Sequence, residues 1–338
     1  MKISAADRAT LLGIVARFPF QRIVLVGDLV ADEFIHGEIA RVSREAPVLI
    51  LKQRSKQIVP GGGANAANNL ADLGAQVVLV GVLGADEAGD ALVRCLREKG
   101  VTARRVLRPR GYQTPTKSRI LGVLSHGHPQ QIVRVDREPE KLPPETRRRL
   151  SRQALGALAD ASALLVSDYG YGATGANEVN WLRRQSTRAR RGLVITVDSR
   201  YDVSSYRRAT AATPNEPEIE VAFGQRIGDN LALLDRLGQR MLRRQALEAL
   251  LVTRGREGMV LFEPRTKPRR LPIFGSDQVA DVTGAGDTVI AAFTLGLAAG
   301  ASPLHAAMLA NCAGGLAVMK SGTATVERTE LEEAIRNA

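Results

Sequence analysis

Cysteine is nearly missing. Cys95 and Cys312 are the only two in 338 residues, with no Cys-x-x-Cys or Cys/His grouping, which argues against structural zinc and leaves both as buried thiols. No apolar run reaches the length of a membrane span. The first thirty residues carry Lys2, Arg8, Arg17 and Arg22 instead of a leader's apolar core, so a cytoplasmic protein without a membrane partner is expected. No Gly-x-x-x-x-Gly-Lys-Ser/Thr occurs, which excludes a P-loop nucleotide site. Repeats, low-complexity tracts and linkers are absent, so residues 1–338 are expected to form one domain. Acidic charge is also in deficit: 47 Lys and Arg against 35 Asp and Glu give a net charge of +12. Yet 39 of the 47 are Arg, scattered over helix-like stretches such as Arg183–Arg191 and Arg236–Arg244. That distribution describes a solvated surface rather than a nucleic-acid site, with positive potential left over to attract phosphorylated substrates.

What is present is alternation. Short apolar runs at Ile23–Gly27, Val77–Val82, Ala163–Ser167, Leu193–Val197 and Ala249–Thr253 read as buried strands separated by helical patterns. The expected fold is α/β, a doubly wound, mostly parallel sheet with helices on both faces. Two regions break the rhythm: Phe34–Lys52 and Thr116–Arg137 show period-two patterning with little helix between. They predict a small projecting β-sheet, a lid built from segments 33–53 and 112–137. From Gly284 the pattern is helical, over Gly284–Ala299, Pro303–Lys320 and Thr329–Arg336.

The densest chemistry lies in Val279-Ala-Asp281-Val-Thr-Gly284-Ala285-Gly286-Asp287. Gly284, Ala285 and Gly286 leave their N–H groups uncovered at a helix start, where the dipole favours a phosphate. Asp287 in that first turn can take a proton from an attacking hydroxyl, and the three amides can offset charge on the transferring phosphoryl group. A helix that merely packs closely and is capped by Asp287 is the less favoured alternative.

A second cluster, Pro60-Gly-Gly-Gly-Ala-Asn65-Ala-Ala-Asn68, opens another helix and offers Asn65 beside bare backbone at Gly61–Gly63, a surface that suits a polyol. Strand Ile23–Gly27 ends in Asp28, with Asp32 four residues on. Carboxylates at such a strand end commonly face a ligand crevice, although Asp28 reads equally as a turn or cap residue. Gly61-x-Gly63-x-x-Ala66 approximates a dinucleotide fingerprint, but Pro60 precedes it and Asp86 lies beyond the next strand rather than at its end, which disfavours an oxidoreductase.

Taken together, these segments resemble the PfkB/ribokinase family of carbohydrate kinases over nearly the whole chain: Gly61-Gly62-Gly63-Ala64-Asn65 matches the first signature and Asp281–Asp287 the second. More narrowly, the chain looks like the kinase domain of the heptose-7-phosphate kinases, through Val26–Asp32, His36–Val48, Ser167-Asp168-Tyr169, Thr213-Pro-Asn215, Leu251–Arg254 and Asp281–Thr288, with Arg41–Val48 the most specific stretch. The resemblance implies ATP-dependent phosphorylation of a sugar or sugar phosphate, the C1 hydroxyl of D-glycero-D-manno-heptose 7-phosphate first among them. It implies Asp287 as base with Gly284, Ala285 and Gly286 as anion hole. Asp28, Asp32, Gly62, Gly63, Asn65 and Asp168 would meet the sugar, Arg41 and Glu45 the closing lid, and Lys117 and Arg134 the substrate phosphate. Asn215, Thr253, Arg254, Gly255, Gly258 and Asn311 would border ATP. Asn215 and Glu218 would organise magnesium through water, and a monovalent cation stays open. A homodimer through the lid is implied as well.

The chain departs from the subgroup at two places. Tyr171 and Arg200 stand where lysines are usual, which changes how a phosphate could be held. Bifunctional relatives carry a following nucleotidyltransferase domain, for which a chain ending at Ala338 is expected to have no room. Another sugar or nucleoside kinase, or a non-catalytic sugar- or nucleotide-binding regulator on the same fold, remains an alternative.

Overall fold

The computed structural model describes residues 3–123, 130–189, 192–275, 281–320 and 322–338. Strands are β1 (Arg22–Gly27), β2 (Leu29–Val42), β3 (Leu49–Gly62), β4 (Gln76–Val82), β5 (Thr102–Leu107), β6 (Thr116–Val123), β7 (Gln130–Arg137), β8 (Ala163–Asp168), β9 (Val194–Ser199), β10 (Ala211–Ala212), β11 (Ala249–Thr253), β12 (Met259–Phe262) and β13 (Arg269–Leu271). Helices are α1 (Ala5–Val15), α2 (Gly63–Asp72), α3 (Glu87–Glu98), α4 (Pro144–Ala157), α5 (Ala176–Ala189), α6 (Glu216–Phe223), α7 (Leu231–Gln245), α8 (Ala285–Ala298), α9 (Pro303–Val318) and α10 (Arg328–Asn337). Val279 and Ala280 of the glycine motif, and positions 124–129 of the second lid segment, lie outside the described residues.

Nine strands form one sheet in the order β13-β12-β11-β10-β9-β8-β1-β4-β5, parallel from β11 to β5 and antiparallel only at the β12 and β13 edge. The central strands are continuous apolar runs because both faces are covered. In β1, Ile23 and Leu25 join the core beneath α1, α2, α8 and α9, while Val24 and Val26 join the opposite core beneath α4, α5 and α7. β1 is flanked by β4 on one side and β8 on the other, so the order reverses there. In open α/β sheets that reversal opens a crevice at the strands' carboxyl ends.

The second sheet has the order β3-β2-β6-β7. It is longer than expected. β2 begins at Leu29 and β3 runs to Gly62, paired to the end as Leu29↔Gly62. Period-two patterning hides this root because Leu29, Val30 and Ala31 are all buried, leaving no polar face to alternate. The sheet is therefore anchored directly at the crevice, between the end of β1 and the start of α2. Arg41 and Glu45 lie exposed on and beyond the far end of β2. One expectation about cysteine needs correcting: Cys312 is buried, but Cys95 on α3 is only half-buried, since its helix face meets the domain edge.

Gly27 closes β1 where a Cβ would lie 2.1 Å from the Ser167 carbonyl oxygen of β8. Gly27→Ala should therefore lower the unfolding free energy by about 1–3 kcal/mol, read from urea denaturation. An unchanged midpoint would contradict this packing.

Candidate active site

Gly284 is the N-cap of α8 at φ 80°, a left-handed conformation that favours glycine. A Cβ there would also stand 2.5 Å from Asn65 Nδ2. Both demands act at one position, and they let α2 and the start of α8 approach until Asn65 reaches Asp287. The expected set of three open amides is reduced to two, because the Ala285 N–H bonds the Val282 carbonyl at 3.2 Å. Gly286 is exposed, and a Cβ on it would meet nothing within 4 Å, so its bare face opens onto the cleft.

Asp287 is buried. One carboxylate oxygen accepts from Asn65 Nδ2 at 2.9 Å and the other from the Tyr169 hydroxyl at 2.9 Å. Burial is the largest influence on it and raises its pKa from 3.8 to about 7, with Asp198 and Asp32 pushing the same way and the two donors pulling back. The Tyr169 phenol is itself held well above its ordinary value by burial and by Asp287.

Tyr169 reaches this point because Asp28 anchors its loop. The Asp28 carboxylate accepts the backbone N–H groups of Tyr169, Tyr171 and Ala173 at 2.9, 3.0 and 2.9 Å, and its own carbonyl accepts the Gly63 N–H at 3.0 Å. Burial lifts its pKa to about 6. Asp168 is tied down similarly, by the Tyr206 hydroxyl at 2.6 Å, Ser199 at 2.9 Å and the Gly170 amide at 3.0 Å. Asp28 thus holds this loop in place. Gly62, at φ 54°, and Gly63 carry the chain from the lid into α2.

Over this floor stands the lid. Asp32 pairs with Arg119 at 2.6 Å, its carboxyl raised first by burial. Lys117 lies 5.5 Å above the Tyr169 ring, and burial followed by the nearby Arg200 holds its pKa below the ordinary lysine value. Among the described residues Lys117 and Arg200 have no carboxylate ion-pair partner, whereas Arg134 is paired with Asp136 at 2.9 Å. Arg41 and Glu45 are not brought to the cleft.

On the other side of Gly286 are two hollows that share Thr253 and Gly286 in their linings. One, of about 160 Å³, is lined largely by small or apolar groups including Gly258, Met259, Val289, Asn311, Gly314 and Val318. Thr253 and Gly255 border it, and the Asn311 side chain donates to the Pro272 carbonyl at 2.8 Å. Arg254 turns away to Glu216 at 3.0 Å. The other hollow, of about 400 Å³, lies between Tyr169, Asp198, Arg200, Asn215, Glu218 and Gly286. Asn215 and Glu218 form a reciprocal capping box on α6, which occupies both side chains. Asp198, raised to about 7 by burial and then by Glu218, and Glu218, raised to about 7 by burial, would both ionise more readily beside a cation. No three His, Cys, Asp or Glu among the described residues converge as a direct metal cage. These donors thus fit a hydrated magnesium ion better than a fully protein-ligated one.

Three participants escape sequence reasoning: Tyr169 as donor to Asp287, Asp198, and Arg119 as partner of Asp32. Asp198 had a signal, since it sits near the carboxyl end of β9 as Asp28 and Asp168 do at β1 and β8. Tyr169 had none, because its bond spans 118 positions.

The family model of the pfkB family carbohydrate kinases matches residues 21–330. The bifunctional protein HldE of Desulfatibacillum aliphaticivorans is 37% identical over 324 residues, covering 96% of this chain and 65% of that protein. HldE of Azotobacter vinelandii is 40% identical over 321 residues, covering 95% and 65%. The chain thus spans a little under two thirds of these relatives. Among solved structures, Arabidopsis thaliana ribokinase complexed with ribose and ATP superposes with a TM-score of 0.70 at 21% identity, covering 94% of this chain and 98% of that one. Escherichia coli phosphofructokinase-2 in complex with potassium gives 0.75 at 18%, covering 94% and 98%. At those identities the likeness is one of fold. No helix among the described residues is long and apolar enough to cross a membrane.

Because the pKa of Asp287 in the fold lies above its unfolded value of 3.8, ionising it destabilises the fold increasingly as pH rises through about 4 to 7. An Asn has no such ionisation. Asp287→Asn should therefore gain thermal stability relative to the parent between about pH 5 and about pH 8; a difference that stays flat across that range would contradict the burial.

Proposed function

Since the chain belongs to the pfkB family of carbohydrate kinases, we propose that it transfers the γ-phosphoryl group of ATP to a hydroxyl of a sugar phosphate, with the C1 hydroxyl of D-glycero-D-manno-heptose 7-phosphate as acceptor. The observation that carries this reading is Asp287, buried, held by two donors and set one residue past the bare face of Gly286. A base whose pKa lies near 7 is matched to proton abstraction at neutral pH.

The acceptor hydroxyl meets Asp287, which takes its proton as the oxygen attacks the γ-phosphorus; the bond to the ADP oxygen breaks in line. The N–H groups of Gly284 and Gly286, with the dipole of α8, offset charge on the equatorial oxygens. The apolar hollow beside Met259 and Val289 suits the adenine. Magnesium, when bound, draws charge from the ATP phosphates, and Asn215 and Glu218 would hold its water shell, with Asp198 beside them.

Lys117 and Arg200 support the sugar-phosphate part of the reading. A half-buried ammonium that among the described residues has no carboxylate ion pair, next to Arg200, whose charge is shared with the field of Asp198 and Glu218, is a good arrangement for a dianion. The two subgroup lysines replaced by Tyr171 and Arg200 are thus compensated in part by a planar cation. The lid also supports a homodimer: β7 is an edge strand with every residue exposed, Val133 at 46% and Val135 at 55%.

Turnover of ATP with magnesium across a panel of sugars and sugar phosphates should be strongest with the heptose 7-phosphate. Its kcat/KM should fall as pH drops through about 7, where Asp287 becomes protonated. Asp287→Asn should lower kcat by roughly 10²–10⁴. Preference for an unphosphorylated sugar would remove the acceptor assignment, and full activity in Asp287→Asn would remove the mechanism.

Lys117→Met should raise KM for the phosphorylated acceptor by about tenfold, the loss of one charge-assisted hydrogen bond, while KM for ATP stays put. Equal effects on both would contradict the phosphate role.

A further inference from the structure

A chain of amides behind Asp287 has a fixed direction. On α2, Asn69 lies one turn after Asn65, and its Nδ2 sits 3.0 Å from the Asn65 backbone oxygen and 3.2 Å from Asn65 Oδ1. A backbone carbonyl can only accept, so the Asn69 atom facing it must be the nitrogen. That nitrogen can only donate, so Asn65 must turn its oxygen toward Asn69 and its nitrogen toward Asp287. Thr288 secures the far end, its hydroxyl donating to Asn69 Oδ1 at 2.9 Å. The Gly284 carbonyl, 3.4 Å from Asn65 Nδ2, is acceptor-only as well and agrees with this orientation.

We propose that Asn69 is a positioning residue, which sets the side-chain amide of Asn65 so that an N–H, never the carbonyl oxygen, is presented to Asp287. The proposal rests on Asp287 as the base of the proposed kinase reaction. Without Asn69 the Asn65 oxygen loses its donor, and only the long contact of Asn65 Nδ2 to the Gly284 carbonyl at 3.4 Å still opposes a half-turn of the amide. Its oxygen would then face the carboxyl, an arrangement that favours the protonated acid. Asn69 touches neither Asp287 nor the cleft, so a residue buried behind the site would govern the ionisation of the base.

Other charged or titratable groups acting on Asp287 come from three elements: Tyr169 after β8, Asp198 on β9 and Asp32 on β2. The remaining titratable residues of the elements packed on α8 are engaged elsewhere or apolar in setting. Asp72 pairs with Lys99, Asp168 with Tyr206 and Ser199, His305 with Asp7, and Cys312 is buried in the core. None of them changes when Asn69 is replaced, so a shift can be assigned to the amide chain.

The test uses Asn69→Leu, matched in branching, and Thr288→Val, which removes the far donor together with its longer contact to the Gly284 carbonyl at 3.4 Å. In each full-length variant the Asp287 carboxyl is followed by ¹³C NMR titration, assigned by its loss in Asp287→Asn, alongside the pH profile of kcat/KM. In Asn69→Leu both midpoints should rise by about one pH unit, the worth of one hydrogen bond to a charged group. Activity should recover toward the parent level at alkaline pH. Thr288→Val should shift the same way by less, since the Asn65 carbonyl still orients Asn69. A loss of activity equal at every pH, or a carboxyl midpoint that does not move, would overturn the proposal. If Asn69→Leu does not fold, an unmoved midpoint in Thr288→Val overturns it alone. Should the parent protein turn over no sugar, the kinase reading fails while the carboxyl titration still decides the relay.

Discussion

A carboxylate buried at the start of a helix, bonded by two neutral donors and by no cation, is the constraint around which the rest of the crevice is arranged. Taking Asp287 out of water is unfavourable, and Asn65 and Tyr169 offset that only if each arrives within hydrogen-bond reach. For Asn65 to arrive, Gly284 must lack a side chain and adopt a left-handed φ. For Tyr169 to arrive, the loop after β8 must be pinned, and Asp28 pins it through three amides. The Asp287 carboxylate and its supports are therefore drawn from α2, α8 and the ends of β1 and β8, elements that meet where the strand order reverses between β1 and β8.

The same reversal roots the lid. β2 leaves the end of β1 and β3 delivers the chain into α2, so movement of the small sheet is tied at its base to the residues that hold Asp287. Lys117 and Arg119 both lie on β6, one above Tyr169 and the other paired to Asp32. The Arg119–Asp32 pair therefore lies within the lid sheet, while Lys117 reaches from it to Tyr169 on the floor.

Much of this was legible in the sequence because the central strands are buried on both faces. The runs at Ile23–Gly27 and Ala249–Thr253 need no alternation to be seen, and β11 is found with the same limits. β5 was missed because its paired arginines interrupt the apolar run, and β10 and β13 because two or three residues carry no period. In the site, glycine motifs point to Asp287 and Asn65, since helix starts with bare backbone have a local signature. The bonds that give those residues their properties have none. Tyr169 and Asp198 approach through tertiary folding, and the three amides that Asp28 accepts from have no local signature either. Arg41 and Glu45 show the converse, a specific sequence pattern whose residues stand on an exposed hairpin end, away from the cleft.

In the proposed reaction Asp287 receives the proton of the acceptor hydroxyl at the mouth of α8. The most direct test is a crystal structure of the protein with heptose 7-phosphate, magnesium and a non-hydrolysable ATP analogue. The acceptor oxygen is expected within about 3 Å of the Asp287 carboxylate, in line with the γ-phosphorus above Gly286, and the sugar phosphate against Lys117 and Arg200. An acceptor hydroxyl bound instead at Asp28 or Asp198, with Asp287 still bonded only to Asn65 and Tyr169, would contradict it.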